Sequence, residues 1–228
     1  MWLTTAIGAF IGAFLSLFLS ILIENQRKPK LSIRLDEPST DNNQINRPAK
    51  KIKILRVHVI NAKLPKFFFW LNRDAAMHCN ADIQVLHIDN LSPIFQHTIS
   101  ARWSRADEPI SQQFDSTTKQ MLPVPDISKY NAAFTRNIYP DSEEPIDTFV
   151  RFDADEECYI WNNDTYYKGW RNSEVQIPKG RYYVIVTLYS SGEIIRGYYQ
   201  LENSVSIKDF RLIELSKEER QKLLHIIP

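Results

Sequence analysis

The sequence predicts a mainly β protein: an N-terminal transmembrane helix, an antiparallel β-sandwich and a short C-terminal helix. Three observations carry this. No charged residue occurs from Trp2 to Ile23. Beyond residue 30, apolar residues recur at every second position in short runs broken by Pro, Gly and Asn, the period of strands with one face in a core. The chain closes on Ser216-Lys217-Glu218-Glu219, a capping box ahead of a short helical stretch.

An uncharged helix of that length, rising about 1.5 Å per residue, matches a hydrocarbon core of about 30 Å. Its only polar side chains are the hydroxyls of Thr4, Thr5, Ser16 and Ser20, which can bond back to their own helix carbonyls. Trp2 suits one headgroup layer, and Arg27, Lys28 and Lys30 follow the other end. A cleaved signal peptide would place positive charge before the apolar run and small residues after it. Here no Lys or Arg precedes the run, and the exit reads Leu22-Ile23-Glu24-Asn25. Residues 1–24 are therefore expected to remain as a single-pass span. Lys and Arg flanking a span tend to stay in the cytoplasm, so the large domain is expected there.

Thr4, Gly8, Gly12, Ser16 and Ser20 lie four apart, so they stack as a ridge of small side chains along one helix face. Such a ridge lets two helices approach closely. A homo-oligomer formed through Gly8, Gly12, Ser16 and Ser20 is the expectation, against the plainer reading that Gly and Ser are common in membrane helices. Phe10, Phe14 and Phe18 form a separate bulky ridge.

The 228-residue chain leaves enough after the span for one sizeable domain. Its 28 basic and 27 acidic residues balance, which gives no general attraction to nucleic acid. Aromatics at 12% with few glycines favour a packed domain over disorder. Cys79 and Cys158 are expected as thiols in the cytoplasm, and an exported domain would let them pair.

Residues 25–51 read as a basic neck, a first strand carrying Leu31, Ile33 and Leu35, and a polar loop with Pro38, Asn42, Asn43 and Pro48. The β-domain covers 52–228. Strands are expected at 53–60, around Ala81, Ile83, Val85 and His87, and at 99–103, where Ile99, Ala101 and Trp103 alternate. Residues 105–130 read as loop. Strands follow at 146–152 and 181–189. The second is launched by Pro178-Lys179-Gly180 and closed by Ser190-Ser191-Gly192, so that 193–201 completes a hairpin. A last strand at 210–215 precedes the capped helix, expected through residue 227.

The run PKGRYYVIVTLYSSG resembles the late strands of immunoglobulin-like and related prokaryotic β-sandwich modules. The wider set LRVHVINAKLP, RDAAMHCNADIQVLH, RFDADEECYIWNN, WRNSEVQIPKGRYYVIVTLYSSGE and DFRL resembles a group of uncharacterised prokaryotic single-span membrane proteins with an immunoglobulin-like domain. The resemblance covers most of the chain beyond the span. It implies a membrane-tethered β-domain and brings no assigned activity.

Two stretches hold the candidate chemistry. In RFDADEECYIWNNDTYYKGWRN, an extended strand would put Asp153, Asp155 and Glu157 on one face. Three such carboxylates repel and can hold a hard cation, which makes them a weak metal candidate. The EF-hand pattern fails, since Cys158 stands where its turn needs Gly, and a solvated acidic loop is the plainer reading. With Trp161, Tyr166, Trp170 and Arg171, the same acids form the first choice for a ligand or partner surface, against the alternative that the aromatics pack on their own core. The second stretch, KLPKFFFWLNR, sets aromatics between basic residues. Lys63, Lys66, Phe67, Trp70 and Arg73 would suit a membrane surface, the alternative being a buried segment.

His58, His78, His87, His97 and His225 are scattered without ligand or triad spacing, and no Gly-rich phosphate loop exists, so no cofactor is expected. The expected function is non-enzymatic: a membrane-anchored binding or scaffolding protein that self-associates through its helix and engages an unknown protein or small-molecule partner through its β-domain. The alternatives are an exported adhesion or envelope domain, or a metal-dependent hydrolase using the 153–157 acids.

Overall fold

The computed structural model describes residues 2–35, 52–68, 70–204 and 206–224, with side chains from Ile7 onward. The loop expected at 36–51 and the last residues of the terminal helix lie outside the described residues. Helix α1 (Trp2–Arg27) runs one turn further than the apolar stretch. Its Ile7–Arg27 portion is long and apolar enough to cross a membrane, and from Ile7 to Ile21 its side chains are exposed.

The chain continues through β1 (Leu31–Leu35), β2 (Ile52–Asn61), β3 (Ala76–His87), β4 (Ile99–Ser100), β5 (Arg102–Trp103), β6 (Ile110–Asp115), β7 (Gln120–Pro125) and α2 (Ile127–Ala132). Then come β8 (Arg136–Ile138), β9 (Glu143–Phe152), β10 (Cys158–Ile160), α3 (Thr165–Lys168) and β11 (Gln176–Ile177). The last elements are β12 (Gly180–Ser190), β13 (Glu193–Asn203), β14 (Arg211–Glu214) and α4 (Lys217–Leu224). One sheet orders β1-β2-β9-β10-β11, with β5 also on β9. The other orders β14-β13-β12-β3-β4, with β8 also on β3. The pairings are antiparallel throughout.

The two sheets share one core. Leu55, Val57 and Val59 of β2 and Ile146 and Phe149 of β9 meet Ile83 and Val85 of β3 and Val184, Val186 and Leu188 of β12. Alternation explains this, because each strand sends every second residue inward and so lines one side of a sandwich. Helix α4 is capped as its sequence requires: Glu219 Oε2 accepts from the Ser216 amide (3.0 Å) and hydroxyl (2.7 Å), and the Glu219 amide donates to Ser216 Oγ at 3.3 Å. Its Leu223 is fully buried beside Leu86 and Ile185.

Two expectations are corrected. Residues 99–103 are not one strand. β4 pairs with β3 and β5 with β9, so the chain switches sheets at Ala101 while Ile99, Ala101 and Trp103 all stay buried. Residues 105–130 are not loop, for they form the β6–β7 hairpin and α2. Side chains of this hairpin are exposed or half-buried on both faces, so no period of 2 marks it. Its turn is held by Asp115, which accepts from the Thr117 amide (2.9 Å) and the Thr118 hydroxyl (2.7 Å), with Lys119 at φ 54°.

A buried amide closes each end of the sandwich. At the far end Asn203 accepts from Arg151 Nη1 (3.0 Å) and donates to the carbonyls of Glu156 (3.1 Å) and Pro178 (3.1 Å). At the helix end Asn61, the last residue of β2, accepts from the Lys30 amide at 3.2 Å. Its Nδ2 donates to the carbonyls of Asp74 (3.0 Å) and Ile138 (3.1 Å). Asn61→Ala orphans these three main-chain groups at once. It should cost about 2–4 kcal/mol, read as a lower thermal unfolding midpoint of the full chain in micelles.

Candidate functional site

The acidic–aromatic tract does not lie on one extended strand. β9 stops at Phe152 and β10 starts at Cys158, and residues 153–157 make the turn between them, where the Asp155 amide donates to the Phe152 carbonyl at 3.0 Å. The period of 2 fails in a turn, so Asp153, Asp155 and Glu157 do not share a face. Among the described residues no group of three or more His, Cys, Asp or Glu is placed to hold a metal ion. Asp155 is instead tied to Arg171, whose Nε lies 2.5 Å from Oδ2. That hydrogen bond raises the pKa of the Arg171 guanidinium, which also sits 4.3 Å above the Phe152 ring.

The aromatic members pack among themselves. Trp161 is buried and meets Tyr166 (5.9 Å) and Trp170 (5.8 Å) edge to face, while Trp170 stacks on Phe152 with an interplanar angle of 14°. Tyr166 carries the fully buried Arg102 over its ring at 5.1 Å, and burial raises the Tyr166 pKa. The Arg102 Nη1 donates to Asn163 Oδ1 at 2.7 Å, and Asn163 Nδ2 donates to the Tyr130 carbonyl at 2.8 Å. Of the tract's aromatic residues Tyr167 and Trp170 reach solvent, with Asp153, Lys168 and Arg171 exposed beside them. Tyr167 donates to the Pro109 carbonyl at 2.7 Å, so this exposed edge adjoins the base of the β6–β7 hairpin. On the hairpin, Phe114 and Met121 form an exposed cross-strand pair.

The second stretch sits at the root of α1. The last four carbonyls of a helix lack intrahelical donors. Here the domain supplies a donor to the last of them and to the carbonyl just beyond: the Asp74 amide donates to the Arg27 carbonyl at 2.6 Å, and Arg73 Nη1 donates to the Lys28 carbonyl at 2.7 Å. Arg27 Nη2 returns to Asp74 Oδ1 at 2.9 Å, and the Ala62 amide donates to the Lys30 carbonyl at 3.0 Å. A cation at a helix C-terminus also complements the macrodipole. Residues 66–68 form a single 3-10 turn that leaves Phe67 and Trp70 standing in solvent, 82% and 60% exposed.

Behind that turn lies a cleft of about 450 Å³. Lys63, Lys66 and Arg73 line it together with the apolar Leu64, Leu71 and Pro140. Lys63 pairs with Asp141 on the opposite wall at 2.6 Å. Asp141 holds φ 60°, with its amide donating to the Asn61 carbonyl at 2.9 Å. The structure thus brings Lys63, Lys66 and Arg73 together, but not alike: the lysines are exposed, whereas Arg73 is only 8% exposed. The opposite wall at 140–141, with exposed Tyr139 beside it, had no sequence signal, because it joins the site through the fold alone.

Cys79 and Cys158 are buried free thiols in the shared core, and burial raises both pKa values, that of Cys79 to about 11. On α1, a Cβ added at Gly8 or Gly12 would meet nothing within 4 Å. Ser16 and Ser20 are exposed on the same helix, with Ser20 Oγ donating to the Ser16 carbonyl at 2.9 Å. The small-residue face is therefore open.

No protein-family model matches the chain, and no curated protein sequence matches it.

Substitutions separate packing from surface in the acidic–aromatic tract. Trp161→Ala should cost about 3–5 kcal/mol in chemical denaturation, because it empties a buried aromatic cluster. Asp155→Ala removes a partly exposed ion pair and should cost less than about 1 kcal/mol.

Proposed function

We propose that the chain is a non-enzymatic, single-span membrane protein that holds a β-domain against the cytoplasmic face of the bilayer and presents it to a protein or small-molecule partner. The observation that supports this best is the capping of α1 by residues 73 and 74. Those bonds make the domain continuous with the helix rather than trailing on a flexible linker, as suits a module whose position relative to the membrane matters. Arg27, Lys28 and Lys30 at the same junction favour the cytoplasmic side. The partner-facing edge we assign to Trp170 and Tyr167 with the adjoining β6–β7 hairpin, where aromatic and apolar side chains are left to solvent. Self-association through Gly8, Gly12, Ser16 and Ser20 would multiply that edge.

Three outcomes are expected. The protein should stay with membranes in alkaline carbonate. Because both native thiols are buried with raised pKa, a cysteine placed on the exposed hairpin turn by Ser116→Cys is a clean reporter. It should react with an impermeant thiol reagent only after cells are opened; labelling of intact cells would place the domain outside. Gly12→Leu should abolish crosslinked dimer in membranes without lowering the domain's unfolding midpoint, since none of the described residues packs on Gly12.

A further inference from the structure

The cleft at the root of α1 is placed where lipid headgroups would be. Glu24 ends the apolar run, and Arg27 lies three residues on, about 4.5 Å along the helix axis. The headgroup layer is about 5–8 Å deep on each side of a hydrocarbon core. Residues bonded to the Arg27 and Lys28 carbonyls therefore lie within or against that layer.

The charges of the cleft are unequal. Lys63 is occupied by Asp141, but Lys66 has no anionic partner among the described residues. Arg73 is the sharper observation. Its Nη1 is used on the Lys28 carbonyl, yet its buried Nε has no hydrogen-bond partner among the described residues. A buried N–H of a guanidinium left without an acceptor is costly, and an anionic oxygen is what satisfies it best. The walls beside it, Leu71 and Pro140, are apolar, which suits the glycerol and first acyl carbons of a lipid rather than a fully hydrated ion. Trp70, an amphipathic aromatic of the kind that favours a headgroup layer, is exposed just after the same turn, and Phe67 on the turn adds exposed apolar surface.

We propose that the cleft lined by Lys63, Lys66 and Arg73 binds the phosphate of an anionic phospholipid in the leaflet from which α1 emerges. The phosphate oxygens accept from Lys66 Nζ and, once the covered Arg73 side chain turns toward the cleft, from its Nε, while the Lys63–Asp141 pair forms the rim. Lipid binding then completes the hydrogen bonding of the residue that caps α1, so occupancy of the cleft stiffens the joint between helix and domain. The inference rests on α1 crossing a bilayer.

The test uses the full chain in neutral detergent micelles, titrated separately with phosphatidylglycerol, phosphatidylcholine and inorganic phosphate, with bound copies counted by native mass spectrometry. Phosphatidylglycerol should saturate at one molecule per chain and raise the unfolding midpoint, with phosphatidylcholine and inorganic phosphate far weaker. Lys66→Gln should weaken phosphatidylglycerol about fivefold, whereas Lys179→Gln at the far end of the sandwich should leave it unchanged. Arg73→Lys retains a donor for the Lys28 carbonyl but loses Nε, so it should keep the lipid-free midpoint and lose the lipid-induced rise. If Arg73→Lys unfolds early, the two lysine variants decide the matter alone. Equal binding of the two lipids, or equal loss in Lys66→Gln and Lys179→Gln, overturns the site. Inorganic phosphate binding as tightly as phosphatidylglycerol overturns the lipid as its source. Micelles keep this test separate from membrane residence: failure of the span would appear in carbonate extraction, with lipid binding intact.

Discussion

Asn61 has one buried side chain and holds three parts of the molecule in place. The neck reaches it through the Lys30 amide, the segment before β3 through the Asp74 carbonyl, and β8 through the Ile138 carbonyl. An amide can serve all three because it carries an acceptor and two donors in a fixed plane. No aliphatic side chain of similar size can, and a carboxylate would turn two donors into acceptors facing carbonyls. The main chain of the same residue donates to the Ser142 carbonyl and accepts from the Asp141 amide, which sets the outer wall of the cleft. The helix junction, the cleft and the closing edge of the sandwich thus share one residue.

The junction turns a common weakness into a joint. A helix leaving a bilayer ordinarily meets its last carbonyls with water, and the following domain is then free to swing. Here Asp74 takes the Arg27 carbonyl and Arg73 that of Lys28, and the Arg27–Asp74 pair closes the contact from the other side. That pair is exposed and adds little by itself. The weight falls on the main-chain bond and on the buried Arg73. The orientation of the β-domain therefore follows the tilt of α1, and Phe67 and Trp70 turn with it.

Much of this was legible in the sequence, and the limits have physical causes. The long apolar helix could be read because charge is absent from Trp2 to Ile23. The strand at 193–201 could be read because one face of it is buried, which forces a period of 2, and that at 181–189 because a short run of aromatic and β-branched residues, buried on both faces at 182–186, is bounded by turn residues. Asp153, Asp155 and Glu157 misled for the same reason, since the period was carried into a turn where it has no meaning. The 99–103 alternation was true of burial and false of continuity, because a chain can cross between sheets and stay in the core. The roles of Asn61 and Arg73 were hidden. A polar residue at a strand end and a cation beside aromatics both read as surface, and only the fold brings unpaired carbonyls to them. Lys63, Lys66, Phe67 and Trp70 could be grouped from sequence, but the opposing wall at Pro140 and Asp141 is distant along the chain.

The β6–β7 hairpin carries Pro125 opposite Ile110 and Pro123 opposite Gln112. These positions belong to the same alternating set of the ladder, and a proline has no amide hydrogen to give to its partner strand. Their nitrogens therefore point away from β6, along the outer border of β7, where an incoming chain would look for donors. That border is nearly barren of them. A second strand cannot zip onto it, so the hairpin can expose Phe114 and Met121 without seeding sheet growth, and whatever docks there must read side chains rather than backbone.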